Sequence, residues 1–268
     1  MKMTQMLAIA TIMAASSPAR GQSFPAPERV VSEAFAGRKG AFVIVDCGSG
    51  GISDFRPGAS AEKLAPCSTF KIWNTLIGLE TGIVTAADEA FYKWDGETRA
   101  ISEWNKDLTL KEAFQASCVP AFQNLARRIG PVKMQSWLDK IGYGDRDMSA
   151  GADVFWLPAR GRKTILISPT EQARLMCKLV SGKLPFREGS VAVLKEVMAV
   201  RKTDRGILYG KTGSGADGTG TYDLGWFVGY VESRGKTYAF ACAANGDGVM
   251  GKDARAIVER VLEKQGLL

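Results

Sequence analysis

Ser68 and Lys71 stand three residues apart in Pro66-Cys67-Ser68-Thr69-Phe70-Lys71-Ile72-Trp73. On a helix, positions i and i+3 share a face. Leu76, Ile77 and Leu79 follow, so the helix predicted over 68–80 is apolar almost all round and reads as buried. A lysine in such a helix is costly as an ammonium and tends to be neutral. A neutral amine beside a hydroxyl is a base beside a nucleophile. The N-terminal end of a helix also stabilises negative charge. An N-capping serine with a lysine reaching out to solvent would write the same tetrapeptide.

Two further groups carry chemistry. Ser117-Cys118-Val119 lies between a short helical pattern and Pro120, and its hydroxyl could relay a proton to a leaving group. Lys211-Thr212-Gly213 lies near the end of a strand pattern and offers a cation, a hydroxyl and a glycine that admits a ligand close to the backbone. Each alone is a common string, readable as a loop serine or an ordinary strand end. The chain has no histidine, which removes Ser-His-Asp and Cys-His arrangements and histidine-based zinc sites. The five cysteines show no CxxC spacing, so no metal site is expected. Proton transfer falls to Lys, Asp, Glu, Tyr or a bound water.

The elements that must position these groups form a simple order. Residues 27–36 read as an amphipathic helix, 41–46 as a β-branched strand, and Ile52–Phe55 as its hairpin partner. From 66 to 180 the pattern is helical, over 68–80, 109–115, 120–129, 131–140 and 169–181, broken by Gly- and Pro-marked loops. A helix over 190–199 leads into strands at 206–212, 223–232 and 237–244, and a helix over 253–264 closes the chain. A lone hairpin is marginal, so the early strands must join the late ones. The expected fold class is α/β in the α+β sense. An antiparallel sheet is flanked by the terminal helices, with an all-helical subdomain inserted.

Lys2, the apolar run 6–15 and Ala19-Arg20-Gly21 read as a signal peptide over 1–21, too short to span a membrane. A single domain over 22–268, exported to the periplasm or secreted, is the expected mature form. The net charge of +7 is scattered rather than blocked, so no nucleic acid is expected, and a small anionic substrate is compatible. No later run is long enough for a membrane span.

Taken together in this order, the serine–lysine pair, Ser117-Cys118-Val119 and Lys211-Thr212-Gly213 make a far more specific signal than any one of them. The stretch from Ala41 to Val84, with Ala65 to Ile72 at its centre and Leu79-Glu80-Thr81-Gly82 after it, resembles the class D serine β-lactamases, the oxacillinase group. Tyr143-Gly144-Asp145, Phe155-Trp156-Leu157, Gly225-Trp226-Phe227-Val228-Gly229 and Arg255 extend the resemblance over nearly the whole mature chain. It implies a β-lactamase/transpeptidase-like fold and β-lactam hydrolysis through an acyl-enzyme on Ser68. It implies Lys71 carboxylated on Nζ (N6-carboxylysine) as general base, with carbon dioxide or bicarbonate the only small-molecule requirement. Phe70, Val119, Trp156 and Leu157 would wall the lysine pocket. The backbone N–H groups of Ser68 and Ser214 would form the oxyanion hole. Ser117 would move protons, and Lys211, Thr212, Gly213 and Arg255 would hold the substrate carboxylate.

Departures bound the resemblance. Asp145 stands where the family usually has asparagine, so Tyr143-Gly144-Asp145 could be only a turn. The segment 158–164 is long and basic, and could reshape the cleft rim or be a solvated loop. An odd cysteine count implies a free thiol or an intermolecular bond. Cys67–Cys118 and Cys47–Cys242 are the disulfides considered. A β-lactam sensor domain and a penicillin-binding transpeptidase share the serine–lysine and Lys-Thr-Gly elements. A monomer or a homodimer is compatible with all of this.

Overall fold

Six antiparallel strands in the order β2-β1-β8-β7-β6-β5 carry the molecule, and chain ends meet in the sheet. The computed structural model describes residues 28–216 and 220–268. α1 (Glu28–Phe35) leads into β1 (Lys39–Asp46) and its hairpin partner β2 (Ile52–Phe55), followed by the short α2 (Pro57–Ser60). A 3₁₀ turn (Cys67–Phe70) runs into α3 (Lys71–Glu80). Then come β3 (Ala90–Tyr92), β4 (Leu108–Thr109), α4 (Leu110–Gln115), α5 (Val119–Ile129) and α6 (Pro131–Ile141). α7 (Pro169–Val180) and α8 (Glu188–Met198) precede β5 (Ala199–Lys202), β6 (Gly206–Ala216), β7 (Tyr222–Ser233), β8 (Lys236–Asn245) and α9 (Gly251–Lys264).

Alternation along β1 builds two cores from one strand. Phe42 and Ile44 face α1 and α9, whereas Val43 and Val45 face the inserted helices. α4 and α7 start where they do because Thr109 and Ser168 each form a capping box with the glutamate three residues on.

The expected fold stands, with three corrections. The insertion is not purely helical, because β3 and β4 pair within it. β5 was hidden at the end of the helix predicted over 190–199, since Ala199-Val200-Arg201-Lys202 has no apolar alternation. Charged, exposed residues of this kind suit the edge strand it forms. The helix predicted over 68–80 is a 3₁₀ turn followed by α3, because Cys67 takes a left-handed backbone (φ 52°).

The cysteines also differ from expectation. Cys47 is bonded to Cys177 on α7, and Cys67, Cys118 and Cys242 are free and buried. Neither expected pairing forms. Cys242 sits opposite Phe42 in the ladder, five residues from Cys47 or roughly 17 Å along an extended strand. Cys67 and Cys118 stay apart as small buried side chains. The leader expected over 1–21 lies outside the described residues. Among the described residues no helix is long and apolar enough to cross a membrane.

Candidate active site

The 3₁₀ turn presents one partly open side chain. Pro66, Cys67, Thr69 and Phe70 are buried, and only Ser68 of this stretch reaches solvent. Ser68 is not the N-cap of either element, since Pro66 holds that position for the turn and Phe70 for α3. Its Oγ lies 2.9 Å from Lys71 Nζ. Lys71 is fully buried, so the reading of a capping serine with a lysine in solvent fails on both counts.

Burial pushes the Lys71 amine down to about 7, against smaller opposing effects of the Cys118 and Cys67 thiols. Its Nζ sits 5.4 Å from the centre of the Phe122 ring. Phe70 stacks on Trp156 at 5.4 Å and meets Phe155 edge-on at 4.8 Å, all three fully buried. Trp156 Nε1 is buried and has no hydrogen-bond partner among the described residues. A buried unpaired N–H is costly, so an acceptor belongs at that end of the pocket.

Strand β6 brings the third element against the turn. A Cβ on Gly213 would lie 3.0 Å from the Pro66 carbonyl oxygen and 3.2 Å from Cys67 Cβ, so glycine lets strand and turn meet. β5 pairs with β6 only at Ile207, Leu208 and Tyr209, which leaves the Lys211–Ser214 stretch as a free edge. Lys211 is buried and Phe114 lies under its Nζ at 5.7 Å. Burial, and then repulsion from Lys71, hold the Lys211 ammonium well below the usual lysine range. Its Nζ donates to the Thr212 carbonyl oxygen at 3.1 Å. Ser214 Oγ accepts from Gly251 N–H at 2.9 Å, tying the strand to the start of α9.

Ser117 has a left-handed backbone (φ 56°), uncommon for a residue with a side chain and typical of constrained sites. Its neighbour Cys118 is close enough to feel the Lys71 charge. Val119 starts α5 and Leu157 is half-buried beside Trp156. Arg255, Lys211 and Thr212 line one cavity of about 290 Å³. Arg255 Nε donates to Glu259 Oε1 at 2.8 Å, one turn along α9. That bond leaves the two terminal nitrogens of the guanidinium for a ligand.

Some residues serve as supports. Tyr143 packs edge-on to Phe70 at 5.4 Å, fully buried beneath the turn. Asp145 Oδ1 accepts from Leu166 N–H at 3.0 Å and Asp147 N–H at 3.2 Å, so Tyr143-Gly144-Asp145 acts as a structural bracket. An asparagine oxygen would accept the same bonds. The basic segment folds onto its own flank, with Lys163 paired to Asp147 and Arg162 donating to the Leu157 carbonyl.

Four participants escaped the sequence. Phe114 and Phe122 look like ordinary core residues until the lysines are placed. Trp104 donates from Nε1 to the Ala116 carbonyl at 2.9 Å, beside Ser117. Gln172 on α7 donates to Thr69 Oγ1 at 3.1 Å, and Thr69 Oγ1 donates to the Pro66 carbonyl at 2.6 Å. No local pattern marks a contact across so much chain.

Residues 27–263 match the family model of the penicillin binding protein transpeptidase domain. The chain is 34% identical to β-lactamase OXA-10 of Pseudomonas aeruginosa over 85% of each protein. A solved class D β-lactamase from Bacillus subtilis superposes with a TM-score of 0.82 at 34% identity, covering 89% of this chain and 96% of that one. Regulatory protein BlaR1 of Bacillus licheniformis is 32% identical over 85% of this chain but 37% of its own length.

Proposed function

The chain belongs to the class D serine β-lactamases, and from that premise we propose that it hydrolyses β-lactams through an acyl-enzyme on Ser68. The observation that carries this is the 2.9 Å contact between Lys71 Nζ and Ser68 Oγ on a fully buried lysine. The base carried by Lys71 takes the hydroxyl proton as Oγ bonds to the lactam carbonyl carbon. The Ser68 and Ser214 N–H groups receive the developing oxyanion, aided by the free edge of β6. The ring C–N bond then breaks, and the ring nitrogen takes a proton by way of Ser117 and Lys211. Water activated at Lys71 cleaves the ester and restores Ser68. Lys211, Thr212, Gly213 and Arg255 hold the substrate carboxylate, with Arg255 suited to a bidentate grip.

The Lys71 pocket fits a carboxylated lysine. Its amine is poised to be neutral, its walls are apolar, and Trp156 Nε1 has no acceptor among the described residues. Carbon dioxide added to that amine would supply a carbamate oxygen as base for both half-reactions. Phe70, Val119, Trp156 and Leu157 exclude water from it. The leader over 1–21 would place the enzyme in the periplasm or outside the cell.

The match to BlaR1 favours one alternative, a sensor that is acylated without turnover. A transpeptidase would also stay acylated. Steady-state hydrolysis of a chromogenic cephalosporin decides between them. Many turnovers per enzyme are expected, whereas a single stoichiometric burst would assign the chain to a sensor or transpeptidase role.

A further inference from the structure

Residues 93–107 join β3 to β4, two strands that pair with each other. Hairpin loops run ~2–5 residues, so this connection is far longer than the pairing requires. It is nonetheless fixed, and its bonds converge on Arg99. The guanidinium grips Asp95 with both terminal nitrogens, Nη1 to Oδ1 at 2.8 Å and Nη2 to Oδ2 at 2.6 Å. Nη2 also donates to Glu97 Oε2 at 2.9 Å, and Nη1 to the Glu97 carbonyl at 3.1 Å and to Tyr92 Oη on β3 at 3.4 Å. The Arg99 main chain makes a second clasp. Its N–H donates to Asn105 Oδ1 at 2.8 Å, and its carbonyl accepts from Asn105 Nδ2 at 2.9 Å. Asn105 N–H in turn donates to the Ser102 carbonyl at 3.0 Å, closing the 3₁₀ turn Ser102–Trp104.

That turn places Trp104 Nε1 2.9 Å from the Ala116 carbonyl oxygen, to which it donates. Ala116 caps the end of α4, and Ser117 follows it with a left-handed backbone (φ 56°). A left-handed serine is strained and persists only where its surroundings over-determine it. Locally, the Ser117 and Cys118 N–H groups donate back to the Phe114 and Ala113 carbonyls at 3.1 and 2.9 Å. The Trp104 bond adds a hold from a separate part of the chain. The Cys118 thiol is close enough to feel the Arg99 and Asp95 charges, so the clasp lies just behind this segment. Hydrogen bonds from Arg99 hold the Asp95 carboxyl well below the usual carboxylate range, so the clasp keeps its charges at neutral pH. Neither Arg99 nor Asn105 lines the cavity that holds Lys211 and Arg255. We propose that Arg99 and Asn105 are positioning residues for the reaction: they clasp the loop that locks Ser117, through Trp104, where its hydroxyl reaches the departing ring nitrogen. The proposal rests on the role given to Ser117 above.

The test measures acylation and deacylation separately with one penicillin by rapid mixing. Arg99→Met removes the guanidinium and keeps the stem. Asn105→Leu removes both bonds to the Arg99 main chain at similar volume, and Trp104→Phe keeps a ring while removing the N–H. Each should slow acylation roughly tenfold and leave deacylation within about twofold. Each is then combined with Ser117→Ala, where it should slow acylation no further. Losses that multiply in that background, losses equal in both half-reactions, or no loss at all would overturn the positioning role. A Ser117→Ala enzyme that acylates at the native rate would instead overturn the role of Ser117, and this proposal with it. Should Arg99→Met or Asn105→Leu fail to fold, Trp104→Phe, which leaves the loop clasped, is held to the same rates.

Discussion

Glu259 holds Arg255 from one helical turn away, its Oε1 2.8 Å from Arg255 Nε, while Arg201 on β5 approaches the other oxygen at 4.0 Å. Glu259 therefore sits between two guanidinium groups and fixes the one that lines the cavity. Glu259→Ala frees the Arg255 side chain, which must then be ordered again on binding. KM for a penicillin should rise roughly three- to tenfold with kcat little changed, and Glu259→Gln should restore most of the loss. The double variant with Arg255→Ala should be no worse than Arg255→Ala alone. Additive losses would show that Glu259 acts elsewhere.

Gln172 on α7 braces the turn that carries Ser68. Thr69 Oγ1 gives its own proton to Pro66, so it needs a donor, and Gln172 supplies one at full burial. Gln172→Leu keeps the volume and removes the donor. It should cost about 1–3 kcal/mol in urea unfolding and slow acylation. Unchanged stability together with unchanged acylation would remove Gln172 from the support of Ser68.

The pH response follows from Lys71, whose folded value lies near 7, below the unfolded lysine value of 10.5. Acylation should fall as pH drops below 7, because the amine then holds its proton. Between pH 7 and 10.5 the unfolded chain binds a proton that the folded chain lacks, so stability should rise with pH across that window. Lys71→Met removes the penalty and should raise stability in bicarbonate-free buffer at pH 6, by up to about 5 kcal/mol. A stability–pH curve identical in the variant would contradict a neutral buried amine.

Trp156→Ala opens the pocket and removes the donor at Nε1. Deacylation should slow more than acylation, so acyl-enzyme accumulates and added bicarbonate rescues it only in part. The unmodified enzyme should show a carbon-13 carbamate signal with labelled bicarbonate, weakened in the variant. Full turnover in degassed buffer with no such signal would leave Lys71 as a plain amine base.

The sequence made the site legible where chemistry is local. Ser68 and Lys71 are three residues apart, and that spacing alone places them on one face. Strands flanking a helical insertion follow from the pairing needs of residues 41–55 and 206–244. What stayed hidden depends on long-range packing. Cys177 reaches Cys47 only because α7 lies across β1. Gln172 meets Thr69 for the same reason. The role of Asp145 emerges only when Leu166 returns beside it. Arg255 was found through resemblance, yet its partner Glu259 was visible as an i,i+4 pair once α9 was known.

Lys211 tests the electrostatics of the cleft. It is buried, near Lys71, and bound to Thr212. Lys211→Ala should lower kcat/KM for a penicillin roughly a hundredfold, through both acylation and KM. Wild-type kcat/KM in the variant would place Lys211 outside the site.

The most direct measurement is time-resolved intact-protein mass after mixing with a penicillin. The native enzyme should gain one substrate mass, mapped to the peptide containing Ser68, and lose it again as hydrolysed product appears. Ser68→Ala should gain no mass while keeping its fold, since Ser68 is the N-cap residue of neither the turn nor α3. An adduct that persists in folded Ser68→Ala, or one that forms on the native protein and never clears, would contradict hydrolysis through Ser68.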